Sequence, residues 1–153
     1  VRVENKPGVL ARVSGLFARR GFNIESLAVA PTDNELFSRL TIVVDAESAP
    51  LEQVVKQLDK LINVVEIQEL SPEDSISREL ILATVNVEEG REDQIMREIE
   101  SFEANVLSVG DQKIVVSLSG TPEIINDFEV VLETYGIVEV QRTGIIALST
   151  ITS

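Results

Sequence analysis

The chain opens on Val1-Arg2-Val3-Glu4, an alternating apolar–polar run that reads as the end of a strand. It then breaks at once into a polar turn, Asn5-Lys6-Pro7-Gly8. Val9, Leu10, Val13, Leu16 and Phe17 recur at helical spacing directly afterwards, and Gly21 stands where the last turn should end. Ile24, Leu27 and Val29 follow as a strand whose alternation slips, predicting a bulge near Glu25-Ser26. Pro31-Thr32-Asp33-Asn34 is a turn, and 36–44 is a strand rich in β-branched residues. Ala49-Pro50 opens a helix over 51–61, with Leu51, Val54, Val55, Leu58 and Leu61 on one side. A strand over 64–70 closes the unit.

A short polar joint, Ser71-Pro72-Glu73-Asp74-Ser75, precedes a second unit in the same order. Residues 79–87 read as a strand, and Gly90 starts a helix with Ile95, Met96, Ile99 and Phe102 as its apolar stripe. Strands over 105–109 and 113–118 flank Gly110-Asp111-Gln112, a tight hairpin. Thr121 and Pro122 have the character of an N-cap and first helical residue. Behind them Ile124, Ile125, Phe128, Val131 and Leu132 are expected to face inward. A strand over 137–141 follows. The apolar stretch 144–152 suits a further edge strand or contact with a partner.

Two successive βαββαβ units predict an α+β fold of two ferredoxin-like domains, each a four-stranded antiparallel sheet with two helices on one face. The boundaries expected are 1–70, a linker at 71–77, and 78–153. The uncovered sheet face asks for another subunit or domain, so dimerisation is a structural expectation.

Composition narrows the chemistry. The chain has 153 residues, 44% of them hydrophobic, which suffices for two small domains. It begins at Val1, so the first strand is expected to start further upstream, and neither a secretory leader nor a membrane-length apolar run is visible. There is no Cys, which removes disulfide and thiolate chemistry, and no His, the commonest metal ligand and general base. No carboxylate-rich calcium loop occurs either. Residues 1–70 hold eight Lys and Arg against ten Asp and Glu, while 71–153 hold five against sixteen. A second half at −11 repels phosphate backbones, which argues against nucleic acid and is most simply a solubilising surface.

The turn Asn5–Leu10 is the strongest candidate site. A strand running straight into a helix leaves N–H groups at the helix N-terminus, where a carboxylate could sit beside the Asn5 amide and the small Gly8. The plainer alternative is that Asn5 caps the helix while Pro7 and Gly8 shape the turn. On geometry alone that alternative is favoured. Asn23, just past Gly21, admits the same two readings. Arg19-Arg20 is a solvated helix end matched to the dipole, the acidic cluster Glu88, Glu89, Glu92 and Asp93 is a solvated helix start, and Met96 is a core residue. No base is placed to activate a Ser, Thr or Tyr, and a carboxylate-only enzyme lacks a paired-acid motif.

Resemblance adds what these patterns leave open. The stretch Asn5-Lys6-Pro7-Gly8-Val9-Leu10-Ala11-Arg12-Val13, with Gly15-Leu16-Phe17, Arg20-Gly21-Phe22-Asn23-Ile24-Glu25-Ser26-Leu27 and Ala30-Pro31-Thr32-Asp33, closely resembles the small regulatory subunit family of acetohydroxyacid (acetolactate) synthase. It continues through Ser38-Arg39-Leu40-Thr41-Ile42, Arg78-Glu79-Leu80 and Phe128 to Ile146, over nearly the whole chain. The resemblance implies that the first unit is an ACT domain. It implies a subunit without an active site that activates a large catalytic partner and confers feedback inhibition by valine or another branched-chain amino acid. Thiamine diphosphate, Mg²⁺ and FAD would belong to that partner. ACT domains would pair as a homodimer, with Asn5, Gly8, Val9 and Leu10 of one subunit and Asn23 and Ile24 of the other around the effector. Location would be cytoplasmic, or plastidic in a plant or alga. A free-standing ACT-type amino-acid sensor acting on another target is the alternative.

Overall fold

A computed structural model describes residues 1–45 and 47–151. The chain divides into two compact units: Val1–Ile76 with the segment from Ile145 onward, and Ser77–Gly144.

The first unit runs β1 (Arg2–Glu4), α1 (Val9–Arg20), β2 (Ile24–Pro31), β3 (Phe37–Val44), α2 (Leu51–Asp59) and β4 (Val64–Glu66). Its antiparallel sheet has the order β2-β3-β1-β4, the ferredoxin-like arrangement. Val3 lies opposite Ser38, and Leu40 opposite Val29. These positions turn one sheet face toward the helices, where Val3, Val13, Phe17, Leu40, Val54 and Leu58 form the core. The expected bulge is present, as a register shift between Ile24 and Ser26. Helix α1 ends as Gly21 predicts: the Gly21 N–H donates to the Ala18 carbonyl and the Phe22 N–H to that of Phe17, satisfying the last carbonyls.

The second unit runs β5 (Ser75–Asn86), α3 (Glu92–Ser101), β6 (Asn105–Gly110), β7 (Lys113–Gly120), α4 (Pro122–Glu133) and β8 (Ile137–Arg142), with sheet order β6-β7-β5-β8. Its core is built on Ile81, Val85, Ile95, Ile99, Val116 and Phe128. Asp111 and Gln112 alone connect β6 to β7. Thr121 is the N-cap of α4, its hydroxyl accepting from the Ile124 N–H at 3.3 Å, with Pro122 in the first turn. Thr121→Ala is expected to cost about 1 kcal/mol, because that donor loses its partner. Chemical denaturation of the two proteins side by side measures it.

Some expectations are corrected. The strand expected over 64–70 stops at Glu66, because its partner β1 pairs with it only through Arg2 and Val3. The helix expected over 51–61 ends at Asp59. Met96 and Ile124 are not core residues; both lie on the flanks of their helices, about two-fifths exposed. Leu10 and Leu51 are likewise partly exposed at helix starts. The segment after Gly144, placed with the second domain from sequence, clusters with the first unit: the Ile145 N–H donates to the Ser26 hydroxyl at 2.9 Å. It forms β9 (Ile146–Ser149), paired with β5, and the Thr150 N–H donates to the Asp74 carbonyl. Thr152, the end of that predicted stretch, lies outside the described residues.

Candidate effector site

The polar turn between β1 and α1 is fastened to the hairpin that joins β2 to β3. The Asn5 N–H donates to the Leu36 carbonyl at 2.8 Å, and the Asn5 side-chain Nδ2 donates to the Glu35 carbonyl at 3.0 Å. Asn5 therefore does not cap α1. The N-cap is Gly8, which has no side chain to offer. Asn5 instead spends a donor on holding the turn, and its Oδ1 accepts nothing from the described residues.

Gly8 adopts a left-handed conformation, φ 85° and ψ −9°, and a Cβ built there would meet nothing within 4 Å. The left-handed turn swings the chain into the helix, and the space around such a Cβ is open. At that end the Val9 N–H leans on the Lys6 carbonyl at 3.4 Å, and the Arg12 N–H begins the helical ladder on the Gly8 carbonyl. The N–H groups of Gly8, Leu10 and Ala11 have no partner among the described residues. These are the orphan donors of a helix start, carrying the positive end of its dipole.

The other side chains sort themselves around this opening. Val9 is buried in the core, so only its backbone borders the turn, and the apolar wall is left to Leu10. The Lys6 ammonium is drawn to Glu4, 2.6 Å away, rather than into the opening. Arg12 is tied to the Asn63 Oδ1 at 2.6 Å.

Asn23 and half-buried Ile24 are held elsewhere. The Asn23 N–H donates to the Ser48 hydroxyl at 3.1 Å, and its carbonyl accepts from the Asp45 N–H. They follow the C-terminal end of α1, whereas Asn5–Leu10 surrounds its N-terminal end. Twelve helical residues separate the two ends, about 18 Å along the axis. Within one chain the two candidate half-sites therefore do not meet. The carbonyls of Glu35 and Leu36, the Ala11 N–H and the Ser48 hydroxyl all serve these half-sites. None was singled out from sequence, because each acts through backbone or across the fold.

The architecture and the turn define a tandem ferredoxin-like protein. Residues 1–66 match the profile of an AHAS small subunit-like ACT domain, and 78–151 that of the small subunit of acetolactate synthase. Over 149 residues the chain is 48% identical to the acetolactate synthase small subunit of Mycolicibacterium smegmatis, spanning 97% of this chain and 88% of that protein. The corresponding protein of Mycobacterium bovis is 49% identical over 149 residues, spanning 97% and 89%. The crystal structure of the small subunit from Thermotoga maritima superposes with a TM-score of 0.89 at 33% identity, covering 99% of this chain and 95% of that one. The chain belongs to the acetolactate synthase small-subunit family. No helix among the described residues is long and apolar enough to cross a membrane.

Proposed function

We propose that this chain is the non-catalytic regulatory subunit of an acetohydroxyacid synthase. It raises the activity of the catalytic subunit and makes that activity sensitive to valine or another branched-chain amino acid. In this reading the reacting groups, with thiamine diphosphate, FAD and Mg²⁺, lie on the catalytic partner. The observation that carries it is that the Gly8, Leu10 and Ala11 N–H groups and the Asn5 Oδ1, all within one short turn, have no partner among the described residues. An α-amino acid needs donors for its carboxylate and an acceptor for its ammonium, a short distance apart, and this turn offers both. Leu10 supplies aliphatic surface for a branched side chain.

The two half-sites support binding across a homodimer. Strand β2 is an edge of its sheet, with one ladder of backbone groups open to a further strand. It runs from Ile24, at the C-terminal end of α1, to Pro31, next to the hairpin that holds Asn5. Antiparallel pairing of β2 with its copy would set the partner's strand start beside Pro31. Asn23 and Ile24 of each subunit would then close the Asn5–Leu10 turn of the other. An effector bound there touches two chains at once, so it favours one arrangement of the pair over others. Whatever that arrangement does to the catalytic subunit is then linked to effector concentration.

The test is reconstitution. Purified catalytic subunit should gain activity on adding this chain, and valine should lower the gain. Calorimetry on the small subunit alone should find valine, isoleucine or leucine binding in the range of about 1 μM to 1 mM, roughly −8 to −4 kcal/mol. Absence of activation overturns the regulatory reading; activation without heat or inhibition by any of the three overturns the effector.

A further inference from the structure

The second unit carries its own copy of the turn, with its chemistry inverted. The Val87 N–H donates to the Gln112 carbonyl at 2.8 Å, matching the bond from Asn5 to Leu36 in the first unit. Gly90 follows at φ 89°, matching Gly8. Here, however, the Gly90 N–H is already taken by the Glu92 Oε2 of the same turn, at 2.9 Å. An internal carboxylate stands at this helix start, and Glu88 and Glu89 occupy the places of Lys6 and Pro7. This copy repels an amino-acid carboxylate.

It opens instead onto a groove of about 420 Å³ between α3 and the β6–β7 hairpin. Val87, Ile95 and Ile114 form its buried floor. Met96 and Val109 stand on its lips, 41% and 75% exposed. Around them lie Glu89, Glu92 and Asp111, against the single cation Lys113. Arg91 does not offset this charge. Its guanidinium lies 4.3 Å from the centre of the Tyr135 ring and donates to the Thr134 carbonyl, and it does not line the groove.

We infer that this groove is the docking site for a basic, apolar-centred segment of the catalytic subunit: an aliphatic or aromatic side chain on the floor, flanked by Lys or Arg. Two features select that occupant. The exposed Met and Val lips over an aliphatic floor suit a side chain that needs to leave water, and Met adapts its shape to the guest. The acidic rim, on a half-chain at −11, attracts cations and rejects acidic or phosphorylated partners. This inference rests on the regulatory reading above.

The experiment uses the full chain with purified catalytic subunit. Glu89→Lys combined with Asp111→Lys should weaken association at least about tenfold and flatten its dependence on salt. Val109→Asn, which leaves the charge of the rim unchanged, should weaken association while keeping the salt dependence. Hydrogen exchange on the wild-type complex should slow at 87–96 and 106–114. Unchanged affinity in both variants, or protection confined to the first unit, overturns the groove as the docking site while the regulatory reading stands. A wild-type chain that fails to bind the catalytic subunit at all overturns both.

Discussion

Gly8→Asp is expected to give a small subunit that still activates its catalytic partner but no longer transmits inhibition by valine. Nothing lies within 4 Å of a Cβ at this position, so the helix start has room for the new side chain. Its carboxylate would sit beside the free Leu10 and Ala11 N–H groups, satisfying them and repelling the carboxylate of a ligand. The valine concentration for half-inhibition should rise at least about a hundredfold, a loss near 2.7 kcal/mol. Backbone strain is the competing explanation, because Gly8 is left-handed at φ 85°. Asn and Asp tolerate that conformation better than most other side chains. Gly8→Asn therefore controls for strain and bulk without charge, and should keep part of the inhibition. Both proteins are to be titrated with valine in the reconstituted enzyme. Unchanged valine dependence in the Asp variant would remove the turn from the effector site.

The second large effect concerns the stability of the second unit. Glu79 is 4% exposed at its side chain, although the strand continues from it as the apolar run Leu80-Ile81-Leu82-Ala83. It is held by both arms of the Arg142 guanidinium, at 2.7 and 2.8 Å. Arg142 reaches Glu129 on α4 as well, at 3.2 Å, so one side chain ties β5, β8 and α4 together. Its pKa is raised further, chiefly by the hydrogen bond to Glu79 and against the opposing effect of burial, so the guanidinium keeps its charge.

Arg142→Met strands the Glu79 carboxylate in the core, and should cost about 3–5 kcal/mol. The double variant Glu79→Leu/Arg142→Met removes both charges and should return to within about 1–2 kcal/mol of the parent. Amide exchange in β5 and β8 reads this locally, with acceleration of roughly a hundredfold or more in the single variant. A single variant as slow to exchange as the parent would show that the pair contributes little.

That ion pair also shows where a sequence stops being legible. Glu79 reads as one acidic residue at a strand start, and Arg142 lies 63 positions away. Nothing local says that they meet. The elements themselves were legible, because periodicity and punctuation are local properties. The slip of alternation at Glu25 became a bulge, Gly21 ended α1, and Thr121-Pro122 opened α4. Met96 misled because it follows Ile95 on the helix and is apolar. A residue one position from the stripe turns about 100° away from it, here onto the lip of a groove that only the β6–β7 hairpin creates. Strand β4 was read too long because its apolar run says how far it could pair, not how far its partner reaches.

The candidate site divides in the same way. Asn5–Leu10 and Asn23 stood out in the residues themselves, and family resemblance added Ile24 and the pairing across two subunits. The role of Asn5 did not follow from its type: a cap and a hairpin clamp use the same amide, and the choice depends on where the Glu35 carbonyl arrives. Val9 and Leu10 look alike in sequence, but helix rotation buries one and exposes the other.

Sequence by itself determined the two βαββαβ units, their turns, the ends of α1 and the start of α4, and the family, because these depend on neighbouring residues and their order. Tertiary structure alone decided that Asn5 clamps the β2–β3 hairpin rather than capping α1, that the two candidate half-sites stand at opposite ends of α1, and that Glu79 meets Arg142. The physical reason is that a hydrogen bond needs two groups at about 3 Å in the right direction. Residues far apart in the chain acquire that relation only when the sheet registers and the helices pack.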